Sequence, residues 1–327
     1  MHINANFAHF EEYQVQLRVI QDISRFSVIR PVSTIGIFDG VHLGHAEILR
    51  RINQLAASCG GESVVITLWP HPRTVLHPQL SDIRLLTTLE EKISLISGHG
   101  IQHLVILPFT KELSSIPFDR FVKAYLVDKI RVKHLVVGFN HHFGKDRKGS
   151  FENLQRIAGE HRFTVERLDP VIIGENRVSS SGIRHMIEKG RIRAANDALG
   201  YPYFMNGKVI KGNHLGRVLG YPTANLTIHD PAKLIPPNGV YAVKVLHQGK
   251  EYQGMMSIGI RPTLVLKRHE HTIEVHIFDF ADDLYGQELQ VQFYDWMRCE
   301  RKFSSLEDLK EQLEIDKREV LKLFRAN

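Results

Sequence analysis

The chain has 327 residues, 43% hydrophobic and 24% charged, a globular composition with enough apolar side chain for two cores. Its 42 Lys and Arg against 36 Asp and Glu leave a net charge of +6. This modest, scattered excess suits anionic small molecules and sets no demand for nucleic acid. Two cysteines, Cys59 and Cys299, lie far apart without a CxxC, which argues against a disulfide framework and a thiolate metal site. No apolar run approaches the roughly 18 residues of a membrane span. The stretch from Met1 to Glu12 has neither the basic nor the apolar region of a secretory leader, so a cytoplasmic protein without membrane partners is expected.

From the N-terminal side, the first half alternates short apolar strands with amphipathic helices. Strands are predicted at Val32–Ile37, Val64–Leu68, Leu104–Leu107 and His134–Val137, each bounded by turn residues. Ile48, Leu49, Ile52, Leu55 and Ala56 recur at helical spacing. So do Phe118, Phe121, Val122 and Tyr125, and later Phe151, Leu154, Ile157 and Ala158. Such alternation predicts a parallel sheet covered on both faces, with ligands at the carboxyl ends of its strands. A further helix is expected to begin near Ser181, and a domain boundary to fall between Gly190 and Pro202.

After Gly200 the rhythm changes. Met205–Ile210, Val240–Leu246, Tyr252–Ile258, Thr272–Phe278 and Leu289–Phe293 are predicted strands with turn residues and no helices between them. That pattern belongs to an antiparallel barrel or sandwich. A long amphipathic helix from Leu306 to Phe324 closes the chain. The predicted fold is therefore α/β: a parallel-sheet domain over residues 1–190, a connection over 191–202, and an antiparallel barrel with a C-terminal helix over 203–327.

The segment Thr34-Ile35-Gly36-Ile37-Phe38-Asp39-Gly40-Val41-His42-Leu43-Gly44-His45 runs from a strand into a helix. Gly36, Gly40 and Gly44 allow close approach of backbone to a ligand, and a helix N-terminus presents free N–H groups and a positive dipole end. His42 and His45, three residues apart, can turn toward the same point and donate hydrogen bonds as charge builds on a leaving pyrophosphate. Taken alone, HxxH also fits a glycine turn with two surface histidines. The flanking glycines and the strand-to-helix setting favour a nucleotide site.

This string resembles the HxGH signature of the nucleotidylyltransferase superfamily, and specifically that of its FAD synthetase module. Pro70-His71-Pro72 is similar to the PHP turn of that family. Gly138-Phe139-Asn140-His141-His142-Phe143-Gly144 is similar to its glycine-flanked loop, and Ser179-Ser180-Ser181-Gly182-Ile183-Arg184 to its SSTxIR segment. The resemblance implies a Rossmann-like domain that transfers AMP from ATP to FMN without a covalent intermediate. It places catalytic roles on His42, His45, Asn140 and Arg184, and nucleotide contacts on Gly36, Phe38, Gly44, Ser180 and Ser181. Ile37, Leu68, Trp69, His142, Ser181 and Gly182 depart from the family pattern.

No GxxxxGK[ST] occurs, so a P-loop kinase is excluded. Gly212-Asn213-His214-Leu215-Gly216-Arg217-Val218-Leu219-Gly220-Tyr221-Pro222-Thr223-Ala224-Asn225 instead offers glycines that can fold around phosphates, with Arg217 adding charge. Thr223 and Asn225 face one side of an extended segment, where a hydroxyl and an amide oxygen suit a hard Mg2+. A glycine-rich hairpin with a capped turn fits the composition equally well.

The longer string resembles the GRxxG[FY]PTAN motif of riboflavin kinases. Ile258-Gly259-Ile260-Arg261-Pro262-Thr263 and Thr272-Ile273-Glu274-Val275-His276-Ile277-Phe278-Asp279-Phe280 are similar to that family's IGxRPT and EVHxxDF elements, and Arg298, Glu300 and Phe303 to its RxExxF. Ser257 and Leu264 depart from its pattern. The resemblance implies phosphorylation of riboflavin by ATP, with Glu274 accepting the proton of the 5′-hydroxyl. It also implies cofactor contacts at Gly212, Gly216, Arg217, Pro222, Thr223, Asn225 and Arg298, with Mg2+ held by Thr223 and Asn225. Period 2 puts Glu274 on the face opposite Ile273 and Val275, so an outward-facing strand residue is the competing reading. The cluster His269, Glu270, His271 and His276 has metal-compatible spacing but no further ligand set. Together the two motif sets resemble those of the bifunctional riboflavin kinase/FAD synthetase family, and that resemblance implies both activities in one chain. The rival readings are a kinase with a weak adenylyltransferase half and, from another class, a nucleic-acid-binding barrel.

Overall fold

The computed structural model describes residues 16–77, 79, 83–139, 150–212, 216, 219–261 and 270–326. Its chain divides into two compact units, Met1–Ser180 and Ser181–Asn327.

The first unit is built on six parallel strands: β1 (Arg18–Ile20), β2 (Val32–Gly36), β3 (Ser63–Trp69), β4 (His103–Pro108), β5 (His134–Gly138) and β6 (Thr164–Leu168). Their order is β1-β4-β3-β2-β5-β6. The four predicted strands form its centre, and β1 and β6 lie at its edges. Around the sheet are α1 (Leu43–Cys59), α2 (Pro72–Leu76), α3 (Leu89–Gly98), α4 (Lys111–Ser114), α5 (Phe118–Phe121) and α6 (Phe151–His161). A π-helix, Val122–Ile130, continues α5.

The central strands are buried on both faces because helices cover both. Along β3, Val64 and Ile66 join one core with Phe121 and Leu154, while Val65 joins the other with Leu49 and Ile52. Chain order reverses between β2 and β5, the place where open parallel sheets leave a crevice at their carboxyl ends. A two-stranded hairpin, β7 (Ile172–Ile173) with β8 (Asn176–Arg177), precedes α7 (Ser180–Glu188).

The second unit holds α8 (Ile192–Leu199), which fills the stretch expected as a connection. Six strands then close into an antiparallel barrel: β9 (Phe204–Ile210), β10 (Ala224–Thr227), β11 (Gly239–His247), β12 (Lys250–Arg261), β13 (Glu270–Ile277) and β14 (Glu288–Arg298). Every strand predicted in this half is present, and closure settles the choice between barrel and sandwich. The additional strand is β10, short and directly after Pro222. The final helix, α9 (Leu306–Ala326), packs Val320 against Ala242 and Met255 on the outer face of the barrel. Asp316 on α9 accepts from Arg298 Nε at 2.9 Å and Nη2 at 2.6 Å, and Gln312 Nε2 donates to the same carboxylate at 2.7 Å.

Candidate active sites

In the first unit the chain leaves β2 through a turn in which Phe38, Gly40 and Val41 have φ of 53°, 83° and 34°. For Phe and Val such angles cost on the order of 1–3 kcal/mol each. Their side chains are 2% and 1% exposed, so core packing holds the turn in place. A Cβ at Gly36 would crowd the Phe38 ring at 3.1 Å, and one at Gly44 the His42 ring at 3.2 Å. Both glycines therefore serve close approach.

His42 caps α1, its Nδ1 accepting from the His45 backbone N–H at 3.4 Å, which leaves the ring proton on Nε2. The His42 and His45 rings stack at 3.7 Å and 15°, with Phe38 5.0 Å from His45. Burial pushes His42 down to about 4 and holds His45 well below its ordinary value. Both rings are therefore neutral at pH 7 and stack without like-charge repulsion. Among the described residues no partner reaches the buried His45 Nδ1.

A buried polar layer supports this turn. Asp39 Oδ1 accepts from the N–H groups of Leu86 at 2.9 Å and Thr87 at 3.2 Å, and the Thr87 hydroxyl accepts from Gly40 N–H at 3.1 Å. Lys92 is 1% exposed, its ammonium 5.0 Å from the centre of the Trp69 ring. Burial lowers it to about 8, against the opposing pull of the Asp39 charge. Asp39, Thr87 and Lys92 were not picked out from sequence. The available signal was Lys92 itself, a charge on the apolar stripe Leu89, Ile93 and Ile96 of α3.

Ser180 opens α7 and its hydroxyl donates to the Asp39 carbonyl at 2.9 Å, tying the serine segment to the glycine turn. Ser181 and Arg184 follow in α7, with Arg184 Nη1 donating to Ser181 Oγ at 3.4 Å. His71 caps α2 by accepting from Arg73 N–H at 3.2 Å. Asn140 lies outside the described residues.

In the barrel, Ile273, Val275 and Ile277 are buried on one face of β13, while Glu274 and His276 share the other. The outward-facing reading of Glu274 is thus compatible with a site, because Thr223 and Asn225 meet it there. Thr223 Oγ1 donates to Glu274 Oε2 at 3.2 Å, and Asn225 stands opposite Glu274 in the β10–β13 ladder. A Cβ at Gly212 would overlap the Asn225 amide, and one at Gly216 would overlap the Tyr221 carbonyl and reach Thr223 Oγ1 at 3.4 Å. Pro222, Thr223, Ala224, Val275 and Ile277 also line a cavity of about 380 Å³, completed by Val209 and residues 280–285.

The donors Thr223 Oγ1, Asn225 Oδ1 and the Glu274 carboxylate are hard oxygens of the kind Mg2+ takes. Among the described residues no group of three His, Cys, Asp or Glu could hold a metal. His269 and Arg217 lie outside the described residues, so the histidine and glutamate cluster near 270 falls partly outside them. The Arg298 guanidinium is engaged throughout, by Asp316 and, through Nη1, by the Cys299 carbonyl at 3.0 Å.

A glycine-and-histidine turn on a parallel sheet, joined in one chain to a barrel where a carboxylate faces a Thr-Ala-Asn segment, defines a two-domain nucleotide-dependent transferase. The FAD synthetase family model matches residues 27–182, and the riboflavin kinase model residues 199–324. A bifunctional riboflavin kinase/FMN adenylyltransferase of Bacillus subtilis (strain 168) is 37% identical, over 90% of this chain and 93% of its own. One from Pseudomonas fluorescens is 39% identical, over 87% and 90%. A crystal structure described as a macrolide-efflux protein from Streptococcus pneumoniae has a TM-score of 0.84 at 32% identity, covering 92% of this chain and 97% of that one. The chain belongs to the bifunctional riboflavin kinase/FMN adenylyltransferase family. Among its described residues no helix is long and apolar enough to cross a membrane.

Proposed function

We propose that the chain phosphorylates riboflavin to FMN in its barrel and adenylylates FMN to FAD on its parallel sheet, with ATP the donor in both steps. The observation that carries this reading is the presence, in one chain, of the stacked His42–His45 pair at the α1 N-terminus and the Thr223–Glu274 contact on the barrel. The adenylyltransferase domain is taken as residues 1–190 and the kinase domain as 203–327, in a cytoplasmic enzyme.

In adenylylation, an FMN phosphate oxygen attacks the α-phosphorus of ATP and pyrophosphate leaves. His42 and His45 donate ring N–H groups to phosphate oxygens where the charge accumulates, aided by the helix dipole. Their neutrality means that these donors need not lose a proton to be held so close together. Ser180, Ser181 and Arg184 are assigned to the phosphates and Asn140 to the nucleotide. Gly36, Phe38 and Gly44 shape the backbone cradle.

In phosphorylation, Glu274 accepts the 5′-hydroxyl proton of riboflavin as that oxygen attacks the γ-phosphorus, the bond to the β,γ-bridging oxygen breaks and ADP leaves. Thr223 and Asn225 would hold Mg2+, which neutralises phosphate charge when bound. Gly212, Gly216 and Arg217 are assigned to the phosphates, and the cavity beside Pro222 and Thr223 to the nucleotide base. Arg298 is assigned to the flavin side as the residue that fixes α9 against β14.

The test is a time course with purified protein, riboflavin, ATP and Mg2+, the flavins resolved by chromatography. FMN that rises and then gives way to FAD is the expected outcome. FMN alone would reduce the protein to a kinase, and no product at all would overturn the reading.

A further inference from the structure

Pro222 and Thr223 enter the kinase site from a stretch that backbone pairing cannot hold. The β10–β13 ladder pairs Asn225 with Glu274 and Ala224 with Val275, and stops there. Pro222 has no N–H to extend it, yet its carbonyl still requires a donor. His276 supplies one: its Nδ1 lies 2.8 Å from the Pro222 carbonyl oxygen. A carbonyl can only accept, so Nδ1 carries the proton. The ring is 7% exposed and wedged between Tyr221 and Phe278, with centroids 5.2 and 5.6 Å away.

Two residues earlier on the same face of β13, Glu274 accepts from the Thr223 hydroxyl. One strand face therefore grips two consecutive residues, Pro222 through an imidazole and Thr223 through the carboxylate assigned as base. A free Pro222 carbonyl would let the peptide rotate and carry the Thr223 hydroxyl away from Glu274.

We propose that His276 is a positioning residue of the kinase site, fixing the Pro222–Thr223 peptide so that the Thr223 hydroxyl and Asn225 amide present their oxygens together to the metal–nucleotide. The inference rests on the kinase reading and adds a residue that does not itself touch the reacting atoms.

The experiment uses the full chain with His276→Phe and His276→Asn. Asparagine places an amide N–H near the position of Nδ1, whereas phenylalanine keeps the ring and removes the donor. The readouts are MgADP affinity by calorimetry, the kinase KM for ATP and for riboflavin, and FMN adenylylation as an internal control. Loss of one buried hydrogen bond in His276→Phe should weaken MgADP and raise the ATP KM together by roughly five- to tenfold. The riboflavin KM and the adenylylation rate should hold, and His276→Asn should recover most of the loss.

Unchanged MgADP binding in His276→Phe would overturn the proposal. So would equal impairment in both variants, which would assign the histidine to ring packing. If His276→Phe does not fold, His276→Gln replaces it, its amide falling near Nε2 and out of reach of Pro222. A wild-type chain that makes no FMN would instead refute the kinase reading, so the two failures are distinguishable.

Discussion

In the proposed reading the two sites solve the same problem, holding phosphate while a bond to phosphorus changes, in opposite ways. On the parallel sheet the assigned groups are buried: His42 caps α1, the His45 ring stacks on that of His42, and Asp39, Thr87 and Lys92 form a polar layer beside them. On the barrel the groups lie on a half-exposed outer strand face, and precision comes from cross-strand contacts to a glycine-flanked segment. Burial pre-orients the first site and sets its protonation. The second depends on register and on what substrate and metal bring with them. The comparison predicts that single substitutions separate the two activities cleanly.

The largest separation should come from Glu274→Gln. It keeps the shape and removes the proposed proton acceptor, so FMN formation should fall by about 10²–10⁴-fold, the usual span for a general base. Conversion of supplied FMN to FAD should continue near the wild-type rate. Loss of both activities would mean that Glu274 holds the fold together and would erase the contrast. The converse experiment replaces His42 and His45 with alanine. Adenylylation should drop by roughly 10²–10³-fold, as for lost donors to a developing charge, with riboflavin phosphorylation retained. A double variant making FAD at full rate would remove the histidines from the mechanism.

The next contrast is in acid stability. Between about 4 and 6.5 the folded His42 is neutral while its unfolded form takes up a proton, so the unfolded state binds more protons and stability falls as pH drops. From this residue alone the loss approaches about 3 kcal/mol near pH 4, and His45 and His99 push in the same direction through burial. In the barrel, burial lowers His276 as well, but among the described residues no second histidine stacks on it. The chain has two tryptophans, Trp69 in the first unit and Trp296 in the second, so Trp→Phe variants let fluorescence follow each unit separately. Denaturant titrations at pH 7 and pH 5 should lower the Trp69 midpoint more than the Trp296 midpoint. Equal shifts would show that histidine burial does not distinguish the units.

What the sequence made legible follows the same division. The central strands β3 to β5 each carry a run of buried apolar residues, whereas β1 is three largely exposed residues at the sheet edge beside β4. β10 was hidden because Ala-Asn-Leu-Thr after Pro222 is too short and polar to show alternation. It becomes a strand by pairing with β9 and β13. α8 carries its own periodic signal in Ile192, Ala195, Ala198 and Leu199, inside the stretch expected as a connection. At the sites, motif residues were visible because their types are unusual in their settings. The supporting layer was not, since Asp39 and Thr87 meet across 48 positions of chain and spacing carries no trace of that. His276 stood inside a recognised string, yet its bond to Pro222 spans 54 positions and exists only once the barrel closes.

The smallest expected effect tests how the serine segment is tied to the glycine turn. Ser180 reaches the Asp39 carbonyl at 2.9 Å, in the turn whose Phe38 and Val41 hold positive φ. Ser180→Ala removes one neutral hydrogen bond, worth about 1 kcal/mol, and leaves the α1 cap and the histidine stack untouched. If Ser180 only tethers the turn, adenylylation should fall by roughly fivefold, with a matching small drop in the Trp69 unfolding midpoint and no change in FMN formation. If the hydroxyl also holds a phosphate, as assigned here, the rate should fall well beyond what the midpoint reports, and the KM for ATP should rise with it. Ser180→Thr, which keeps the hydroxyl, should restore both. A Ser180→Ala enzyme unchanged in rate and stability would mean that core packing alone fixes the turn, which would sharpen the contrast between a site preset by burial and one assembled by strand contacts.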